Sequence, residues 1–538
     1  MFKILNSQSQ SVTGAAIIIG GATLVNKFIG IARDRAIFHF FSAGPVTDAY
    51  YAAFKIPDLI FNLLVVGALT AGFIPVFTKL FHKGEDKSEA WKLASNVLNI
   101  TGVALTVLGV LGALFASPVM RVIAPGFSVS THDLAVPLMR VMFLSPLLLG
   151  LSMVVGGIMQ SLRRFVLYSI APIFYNLGII FGAWFLVRPF GPVGLAYGVV
   201  LGALMHFLLQ LIGAYQAGFQ WTWNFNLKDK NTHTIWLLMI PRTMGLAIAN
   251  LNTIIITAIA STLAVGSVAV YTLADNLQWV PIGIIGISFS LAVFPILSAA
   301  AAENDEQKFI TNLDRTARQI LFLTIPTSII FLLLRAQIVR VIYGTGAFDW
   351  SATINTANAL AFFALGLCAQ SLIPLFARAF YALSDTKTPF FIGIGAEACI
   401  LISAYFLSRL LGVAGLSLAI SIGAVCNLSL LVLFLRKKIR RDNTMENFYA
   451  TYKMIGAAIV MGIIIQLLKY PLAKIFNQDY FWGIFGQGAI AGLAGLGIYA
   501  VICYILRLEE MNIFASSLQK KWLKIRNVPL EGVIETHE

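Results

Sequence analysis

The sequence has 538 residues, of which 58% are hydrophobic and only 12% are charged, with a mean hydropathy of +0.83. Soluble globular proteins carry about 25% charged residues, so this composition excludes a chain whose whole surface faces water. The formal net charge of +14 does not indicate a nucleic-acid-binding protein, because the Lys and Arg residues lie in short loops between long apolar segments.

The positions of the cysteines and the polarity of the amino terminus exclude further types of protein. The four cysteines, Cys368, Cys399, Cys426 and Cys503, all lie inside apolar segments without CxxC spacing, which excludes a disulfide framework and a cysteine metal site. The first 13 residues are too polar for a cleaved signal peptide. We therefore expect the first apolar segment to remain in the mature protein.

Long apolar segments recur along the chain and lack strict alternation. Inside a lipid bilayer every backbone polar group needs a partner within the protein, so segments of this length are expected to be helices. The fold class predicted is an all-α polytopic membrane protein with 14 transmembrane helices. The predicted spans are 12–40, 46–78, 93–117, 133–160, 165–187, 191–217, 234–262, 267–300, 317–343, 353–382, 388–409, 412–435, 450–472 and 480–506.

The distribution of cations predicts the orientation. Alternate loops are rich in Lys and Arg, and such loops stay in the cytoplasm, so both termini are predicted to be cytoplasmic. The cation-poor loops hold little beyond Arg121, Arg188, Arg340, Arg409 and Lys474. The cation-rich set holds Lys79, Lys83, Lys87, Lys92, Arg163, Arg164, Lys228, Lys230, Lys308, Arg315, Lys387, Arg436, Lys437, Lys438, Arg440 and Arg441.

The two halves of the chain carry matching turns at a nearly constant offset in the numbering. The pairs are Gly44 with Gly266, Leu162 with Leu383, Gly194 with Gly415 and Pro57 with Pro281, at offsets of 222, 221, 221 and 224. This offset predicts two six-helix repeats around a central cavity, an arrangement typical of alternating-access transporters. A rigid scaffold with duplicated halves would show the same pattern. The predicted domains are an N-terminal lobe (1–222), a C-terminal lobe (223–441), two appended helices (442–507) and a cytoplasmic tail (508–538).

Charged residues in the first two spans are candidate substrate-binding residues. An ionisable group at membrane depth costs about 2.5–3.5 kcal/mol on insertion scales and therefore suggests a function. The candidates are Lys27, Arg33, Asp48 and Lys55. The alternative is interfacial snorkelling or structural ion pairing, which is the preferred interpretation for the neighbouring Arg35 and Asp58.

The second half offers fewer such residues. Arg242 follows Pro241, and Asp275 and Asn276 lie in the eighth span; these three complete the candidate substrate-binding set. Glu397 lies in the middle of the eleventh span, where it would hold a proton or a cation together with Asn250 or Ser421, or else make a helix-to-helix hydrogen bond.

The sequence does not indicate an enzyme. The histidines lie at span ends, in loops or in the tail, apart from His206 in the sixth span, which is interpreted as a packing residue. The chain offers no convincing Ser-His-Asp set, phosphate-binding Gly loop or pair of catalytic carboxylates. No cofactor is expected beyond Na⁺ or H⁺ as a coupling ion, and the membrane potential would serve in place of either.

Several motifs carry a resemblance that spans both halves. They are Asn26–Asp34, Thr47–Tyr50, Phe54–Pro57, Gly67–Ala68, Phe73–Pro75, Gly266–Val268, Ala274–Asp275, Phe294–Pro295, Tyr343–Phe348, Asp385–Pro389 and Gly415–Ser417. In these motifs the sequence resembles the MurJ family of lipid II flippases, within the MOP exporter superfamily. That family has fourteen helices in two six-helix lobes.

The resemblance implies a substrate and roles for individual residues. The substrate would be lipid II, the undecaprenyl-pyrophosphate-linked peptidoglycan precursor, moved from the cytoplasmic to the outer leaflet of the bacterial inner membrane. Lys27 and Arg33 would meet its pyrophosphate, while Asp48 and Lys55 would support the gate or the charge balance of the cavity. Membrane lipids and cell-wall synthesis proteins are the expected partners.

The chain departs from the family pattern at three positions. Phe61 and Asn276 stand where many members carry arginine, and Val66 stands where they carry an acid. The family's cavity arginines are thus reduced to Arg33, with Lys27 in place of another. Competing hypotheses are an exporter of another polyprenyl-linked saccharide or of small cationic drugs, and a non-transporting scaffold for cell-wall synthesis.

Overall fold

The computed structural model describes residues 12–66, 72–83, 87–439, 445–513 and 516. Among these it describes every side chain except those of 12–17, 64–66, 83, 240–242, 244–249 and 445–448. All regular elements within these ranges are helices. The chain divides into two compact units, one formed by Met1–Thr272 with Ile342–Ala352 and the other by Leu273–Val341 with Thr353–Glu538.

Among the described residues, twelve helices lie within the first unit. They are α1 (Val12–Phe41), α2 (Pro45–Ala53), α3 (Lys55–Ile60), α4 (Ile74–Lys83), α5 (Ser88–Leu114), α6 (Ala116–Ile123), α7 (Val129–Met142), α8 (Leu144–Ser161), α9 (Phe165–Phe181), α10 (Val187–Phe190), α11 (Val193–Gln216) and α12 (Lys230–Ser261). A π-helical turn, Phe61–Val66, follows α3, and a second, Gly182–Leu186, joins α9 to α10.

The next helix begins in the first unit and continues into the second. The remaining helices are α13 (Ser267–Pro281), α14 (Ser288–Ala302), α15 (Glu306–Leu333), α16 (Arg335–Tyr343), α17 (Trp350–Ala382), α18 (Lys387–Leu411), α19 (Val413–Lys438), α20 (Met445–Ile475) and α21 (Phe481–Ile505). A third π-helical turn, Ile282–Ile287, joins α13 to α14.

Each of the fourteen predicted spans falls on helix, the second only in part because 67–71 lie outside the described residues. In the described part of the chain, eleven helices are long and apolar enough to cross a membrane. The first, second and seventh predicted spans are not among them, since α1 carries charges, the second span is broken at Phe54 and the seventh offers only the shorter apolar stretch Asn250–Ser261. The all-helical membrane fold is confirmed, and the count of fourteen stays a prediction.

The internal repeat is visible in the backbone. The π-helical turns Phe61–Val66 and Ile282–Ile287 begin at positions with a numbering offset of 221 (282 − 61). Two turns with positive φ recur at the same offset, and such backbone angles are uncommon outside glycine. These pairs are Arg163 and Ser384, both at 58°, and Gly191 and Gly412, at 59° and 60°.

Glycines allow equivalent helices in the two halves to pack in the same way. A Cβ on Gly202 would overlap the backbone of α9, and one on Gly194 would overlap the carbonyl of Leu186. A Cβ on Gly415 would overlap the carbonyl of Leu407 in the same way. Gly415 and Leu407 follow Gly194 and Leu186 by the same repeat offset of 221 (415 − 194 and 407 − 186). Small residues at such crossings let membrane helices approach backbone to backbone.

Apolar side chains form the interior of each unit. In the first, Phe73 and Phe77 lie in one buried cluster with residues of α5 and α8. In the second, α20 and α21 pack on α15 around Phe322 and Met461, and the Tyr499 hydroxyl donates to the Phe322 carbonyl at 3.0 Å. The repeat-based domains 1–222, 223–441, 442–507 and 508–538 stay a prediction, because compactness does not test a sequence repeat.

Candidate functional site

The guanidinium of Arg33 is held in place on α1 by two partners. Its Nε and Nη2 donate to Oδ1 of Asp34 at 2.9 and 2.6 Å, and its Nη1 donates to Oδ1 of Asn176 on α9 at 3.1 Å. Asn176 in turn donates to Asn26 Oδ1 at 2.9 Å. The Arg33 side chain is 25% exposed while that of Asp34 is 4% exposed. Arg33 is therefore oriented by charge-assisted hydrogen bonds and keeps one side accessible.

Side chains from α2 and α3 surround this ion pair. Tyr50 and Tyr51 lie within electrostatic range of Arg33, and both are buried. Asp58 interacts electrostatically with Lys55, three residues earlier, and with Arg33. The structure thus brings Arg33, Lys55 and two carboxylates into one cluster.

Lys27 lies outside the Arg33 hydrogen-bond network. It is exposed on the unbroken helix α1. Six residues separate it from Arg33, which places the two side chains about 120° apart around the helix axis at about 100° per residue. Lys27 and Arg33 therefore project from different faces of α1.

Asp48 caps the amino terminus of α13. Its carboxylate is buried at 4% exposure and accepts from the backbone amides of Gly266 and Ala269 at 2.6 and 2.8 Å. The first amides of a helix lack partners within the helix, and the helix dipole favours an anion there. Asp48 thereby joins α2 to the start of α13, which is a positioning role compatible with the predicted support of a gate.

The motif Tyr343–Phe348 packs on the carboxyl-terminal half of α1. The Ala347 amide donates to the His39 carbonyl at 2.8 Å, and the His39 ring contacts the Thr345 hydroxyl at 3.1 Å. Phe38 makes ring contacts with both ends of the motif. This docking explains why residues 342–352 belong to the first unit.

The two candidate residues on α12 have different outcomes. The side chain of Arg242 lies outside the described residues, so its role stays a prediction. Asn250 accepts a hydrogen bond from Asn62 Nδ2 at 3.1 Å. Phe61, at a position where the family pattern has arginine, packs against the apolar core of the first unit.

The candidates on α13 lie in the second unit. Asp275 accepts from Gln278 at 2.8 Å, and Gln278 accepts from Gln370 on α17 at 2.8 Å. Asn276 is half-buried beside Asp275. The eighth span is therefore linked to α17 through a series of hydrogen-bonded polar side chains.

The coupling candidates on α18 and α19 do not share a hydrogen bond. The Ser421 hydroxyl donates to the Phe362 carbonyl at 2.7 Å. Glu397 is half-buried, and among the described residues its Oε2 has no hydrogen-bond partner. A buried carboxylate oxygen without a protein donor is free to bind a proton or a cation. No cluster of three or more His, Cys, Asp or Glu side chains suited to a metal ion occurs in the described part of the chain.

Asp385, in the family motif between α17 and α18, caps α18. It accepts from the Thr388 amide at 3.0 Å and from Lys438 Nζ at 2.7 Å. The Lys438 ammonium, followed by the Thr388 amide, lowers the pKa of Asp385 to about 2. This motif residue stabilises the loop and the helix that follows it.

Several residues of the Arg33 cluster are not identified by sequence reasoning. The structural interpretation of Asp58 overlooks its spacing of three from Lys55, which places the two on one helical face. Asn176 is the amide that orients Arg33, and its only sequence signal is a polar side chain within an apolar span. Tyr50 and Tyr51 carry no signal beyond their place in or beside a family motif.

The sequence matches a known family over most of its length. The model described as MurJ, "Lipid II flippase MurJ", matches residues 37–486. The curated "Lipid II flippase MurJ" of Burkholderia cenocepacia is 31% identical over 83% of this chain and 88% of its own. The "Probable lipid II flippase MurJ" of Vibrio cholerae is 28% identical over 94% of this chain and 98% of its own.

Solved structures show the same fold. A "Lipid II flippase MurJ, inward closed conformation" superposes with a TM-score of 0.76 at 22% identity, covering 91% of this chain and 98% of that one. An inward-facing multidrug resistance MATE family transporter of the MOP superfamily gives 0.64 at 17% identity, covering 79% and 98%. At these identities the likeness concerns the fold alone.

Proposed function

The chain belongs to the MurJ family of lipid II flippases, and on that premise we propose that it moves lipid II from the cytoplasmic to the outer leaflet by alternating access. The substrate is an anionic pyrophosphate with a sugar-peptide headgroup and a long polyprenyl tail. Its headgroup needs a polar path through the membrane, whereas its tail can remain in lipid. The chain transports its substrate without covalent chemistry.

The observation that carries the proposal is the oriented Arg33 on α1. Its guanidinium is fixed by Asp34 and Asn176 at 2.6 and 3.1 Å and stays partly exposed. A guanidinium held in this way is pre-organised for a phosphate oxygen, because little side-chain freedom is lost on binding.

The formal charges of the Arg33 cluster balance, so the support for anion binding comes from the way in which Arg33 is presented. Arg33 and Lys55 contribute two positive charges, and Asp34 and Asp58 contribute two negative ones. Asp48 is engaged at the start of α13. The partly exposed guanidinium of Arg33 lies in a setting of low dielectric, where its attraction for a pyrophosphate is stronger than in water.

Complementation and transport assays test this proposal. Wild-type protein should rescue a MurJ-depleted bacterium and move fluorescent lipid II in proteoliposomes. Arg33→Ala should abolish rescue, and Asn176→Leu should weaken it because Arg33 loses its orienting partner. Arg121→Ala is the matched control, since Arg121 is an exposed arginine on α6.

Three outcomes would contradict the proposal. Rescue by Arg33→Ala equal to that of wild type would remove Arg33 from pyrophosphate binding. Well-expressed wild type that fails to rescue, but transports another polyprenyl-linked saccharide, would reassign the substrate. Rescue by variants that move no lipid II would favour the scaffold hypothesis. A multidrug exporter is disfavoured because the first lobe keeps Lys27, Arg33 and Lys55, whereas a cationic drug would favour a cavity lined by acids.

For the return step we propose coupling to Na⁺ or H⁺ at Glu397. Its buried, unpartnered Oε2 supports this choice, and Ser421 remains a candidate contributor. Glu397→Gln should reduce lipid II transport driven by an ion gradient. Unchanged transport in that variant would transfer the driving role to the membrane potential acting on the cations of the first lobe.

The cellular setting follows from the same premise. We propose residence in the bacterial inner membrane with both termini in the cytoplasm, as the loop cations predict. Cysteine-accessibility labelling at 228 and 340 tests the orientation, because these positions belong to the cation-rich and the cation-poor set and should label from opposite sides. Cell-wall synthesis proteins are the expected partners, and co-purification after cross-linking in the membrane would test that expectation.

A further inference from the structure

The segment 218–229 connects α11 to α12 without helix or strand, has turns at both ends and has an alternating sequence. Apolar residues occupy its odd positions from 219 to 227, and polar residues occupy the even positions from 220 to 228. Phe219 is buried, but the next four apolar side chains are exposed: Trp221 at 46%, Trp223 at 73%, Phe225 at 45% and Leu227 at 61%. Alternation over this length is typical of a segment with one apolar face.

Polar side chains of α5 bind the backbone of this segment. Asn99 donates to the carbonyls of Thr222 and Asn224 at 3.2 and 2.8 Å. Asn96 donates to the Asn226 carbonyl at 2.9 Å and accepts from the Asn226 amide at 2.7 Å. The segment is thus attached to α5 along its length by a row of amide side chains.

Two further bonds complete the row. The Thr222 amide donates to Ser95 Oγ at 3.1 Å, and the Trp221 indole donates to Asn99 Oδ1 at 3.0 Å. Ser95, Asn96 and Asn99 are all buried. A loop in bulk water would not need such partners, because water would satisfy its backbone. Internal pairing of this kind is required where a backbone approaches hydrocarbon.

The depth of the segment agrees with this requirement. Helix α5 is apolar enough to cross a membrane, and its mainly apolar stretch from Ile100 to Leu114 accounts for about 22 of the roughly 30 Å of hydrocarbon at about 1.5 Å per residue. The row Ser95–Asn99 therefore lies at the edge of the hydrocarbon. Exposed Lys92, Lys228 and Lys230 flank it, where anionic lipid headgroups would attract them.

We propose that the segment 218–229 is a membrane-interface anchor, with Trp221, Trp223, Phe225 and Leu227 inserted among the lipids of the adjoining leaflet. Trp and other aromatic side chains favour this region of a bilayer, and the row on α5 provides hydrogen-bond partners for backbone groups of Thr222, Asn224 and Asn226. The segment also caps the start of α12, because Asp229 Oδ2 accepts from the Thr232 amide at 2.8 Å, and Asn96 of α5 donates to the Thr232 hydroxyl at 2.9 Å. This inference is independent of the identity of the transported substrate.

Site-directed spin labelling of the full-length protein tests the anchor. The protein is reconstituted in vesicles of phosphatidylethanolamine and phosphatidylglycerol, with its four native cysteines replaced by alanine. A nitroxide at Trp223→Cys or Leu227→Cys should collide more with oxygen than with a water-soluble nickel complex. The matched labels at Thr222→Cys and Lys228→Cys should show a lower ratio of oxygen to nickel collisions.

Equal ratios at odd and even positions would overturn the proposal, since they mean that both faces meet water. Exclusion of both reagents from positions 223 and 227 would also overturn it, by showing that protein covers them; spin–spin broadening would identify a second copy. A second measurement avoids the cysteine replacements. Lipids brominated near the headgroup should quench the wild type more than Trp223→Phe, and equal quenching would refute insertion.

Discussion

Replacing Asp48 by alanine should destabilise the start of α13 without unfolding the protein. The carboxylate is buried and accepts from the amides of Gly266 and Ala269 at 2.6 and 2.8 Å. In Asp48→Ala both amides lose their acceptor. Asp48→Asn keeps one acceptor oxygen and so retains one of the two bonds.

The magnitude follows from the type of bond. A hydrogen bond to a charged group contributes about 1.5–3 kcal/mol, so the loss of two weakens the local structure by about 3–6 kcal/mol. A difference of about 1.4 kcal/mol corresponds to a factor of ten in an equilibrium constant. Local opening of the turn should therefore rise by about a hundredfold or more in Asp48→Ala, and by about tenfold in Asp48→Asn.

Hydrogen exchange measured by mass spectrometry on a peptide covering 262–272 reads this opening directly. Asp58→Asn is the matched control, because Asp58 is an acid close by in the chain that is exposed and does not contact these amides. Exchange in Asp48→Ala that equals wild type would refute the cap. Faster exchange throughout the first unit, rather than in this peptide, would also refute it.

Two further perturbations test packing and charge. Asp385→Asn should lower the Tm at neutral pH. Because the folded pKa of Asp385 is about 2, below its ordinary value, the stability it contributes is complete above about pH 4 and is lost as the pH falls through about 2. The Tm gap between wild type and variant should close over that range, and a gap independent of pH would contradict the assignment. Gly202→Ala should lower the Tm, because its Cβ would overlap the Tyr175 carbonyl and overpacking costs about 1–3 kcal/mol. Gly393→Ala, which meets open space, should leave the Tm near wild type, and equal Tm values for both variants would argue against the close approach of α9 and α11.

The helices can be predicted because a bilayer leaves few alternatives to an apolar segment of about twenty residues. The interruptions are harder to foresee. The π-helical turn at Phe61–Val66 depends on a shift of backbone hydrogen bonding, which has no signature in side-chain type. The repeat carries that information indirectly, since the corresponding turn, Ile282–Ile287, lies at the same offset that relates the matching glycines of the two halves.

The site can be predicted only where a side chain itself indicates the chemistry. Arg33 is identifiable because a cation at membrane depth is costly. Its partner Asn176 lies far away in the chain, and no local pattern connects the two. Asp48 is identifiable by its charge, but its partners are backbone amides, which every residue except proline possesses and which therefore leave no mark in the sequence.

The cap at Asp48 also bears on how a duplicated chain departs from symmetry. At the offset of 222 that pairs Gly44 with Gly266, the counterpart of Asp48 is Val270, the residue directly after Ala269, whose amide Asp48 binds. Identical halves would carry aspartate at both places and set a second carboxylate beside the amide that the first must reach. Helix α2 thus binds the start of its own counterpart, α13, through a residue that the two copies do not share. The contact between Asp48 and α13 therefore depends on a sequence difference between the two halves.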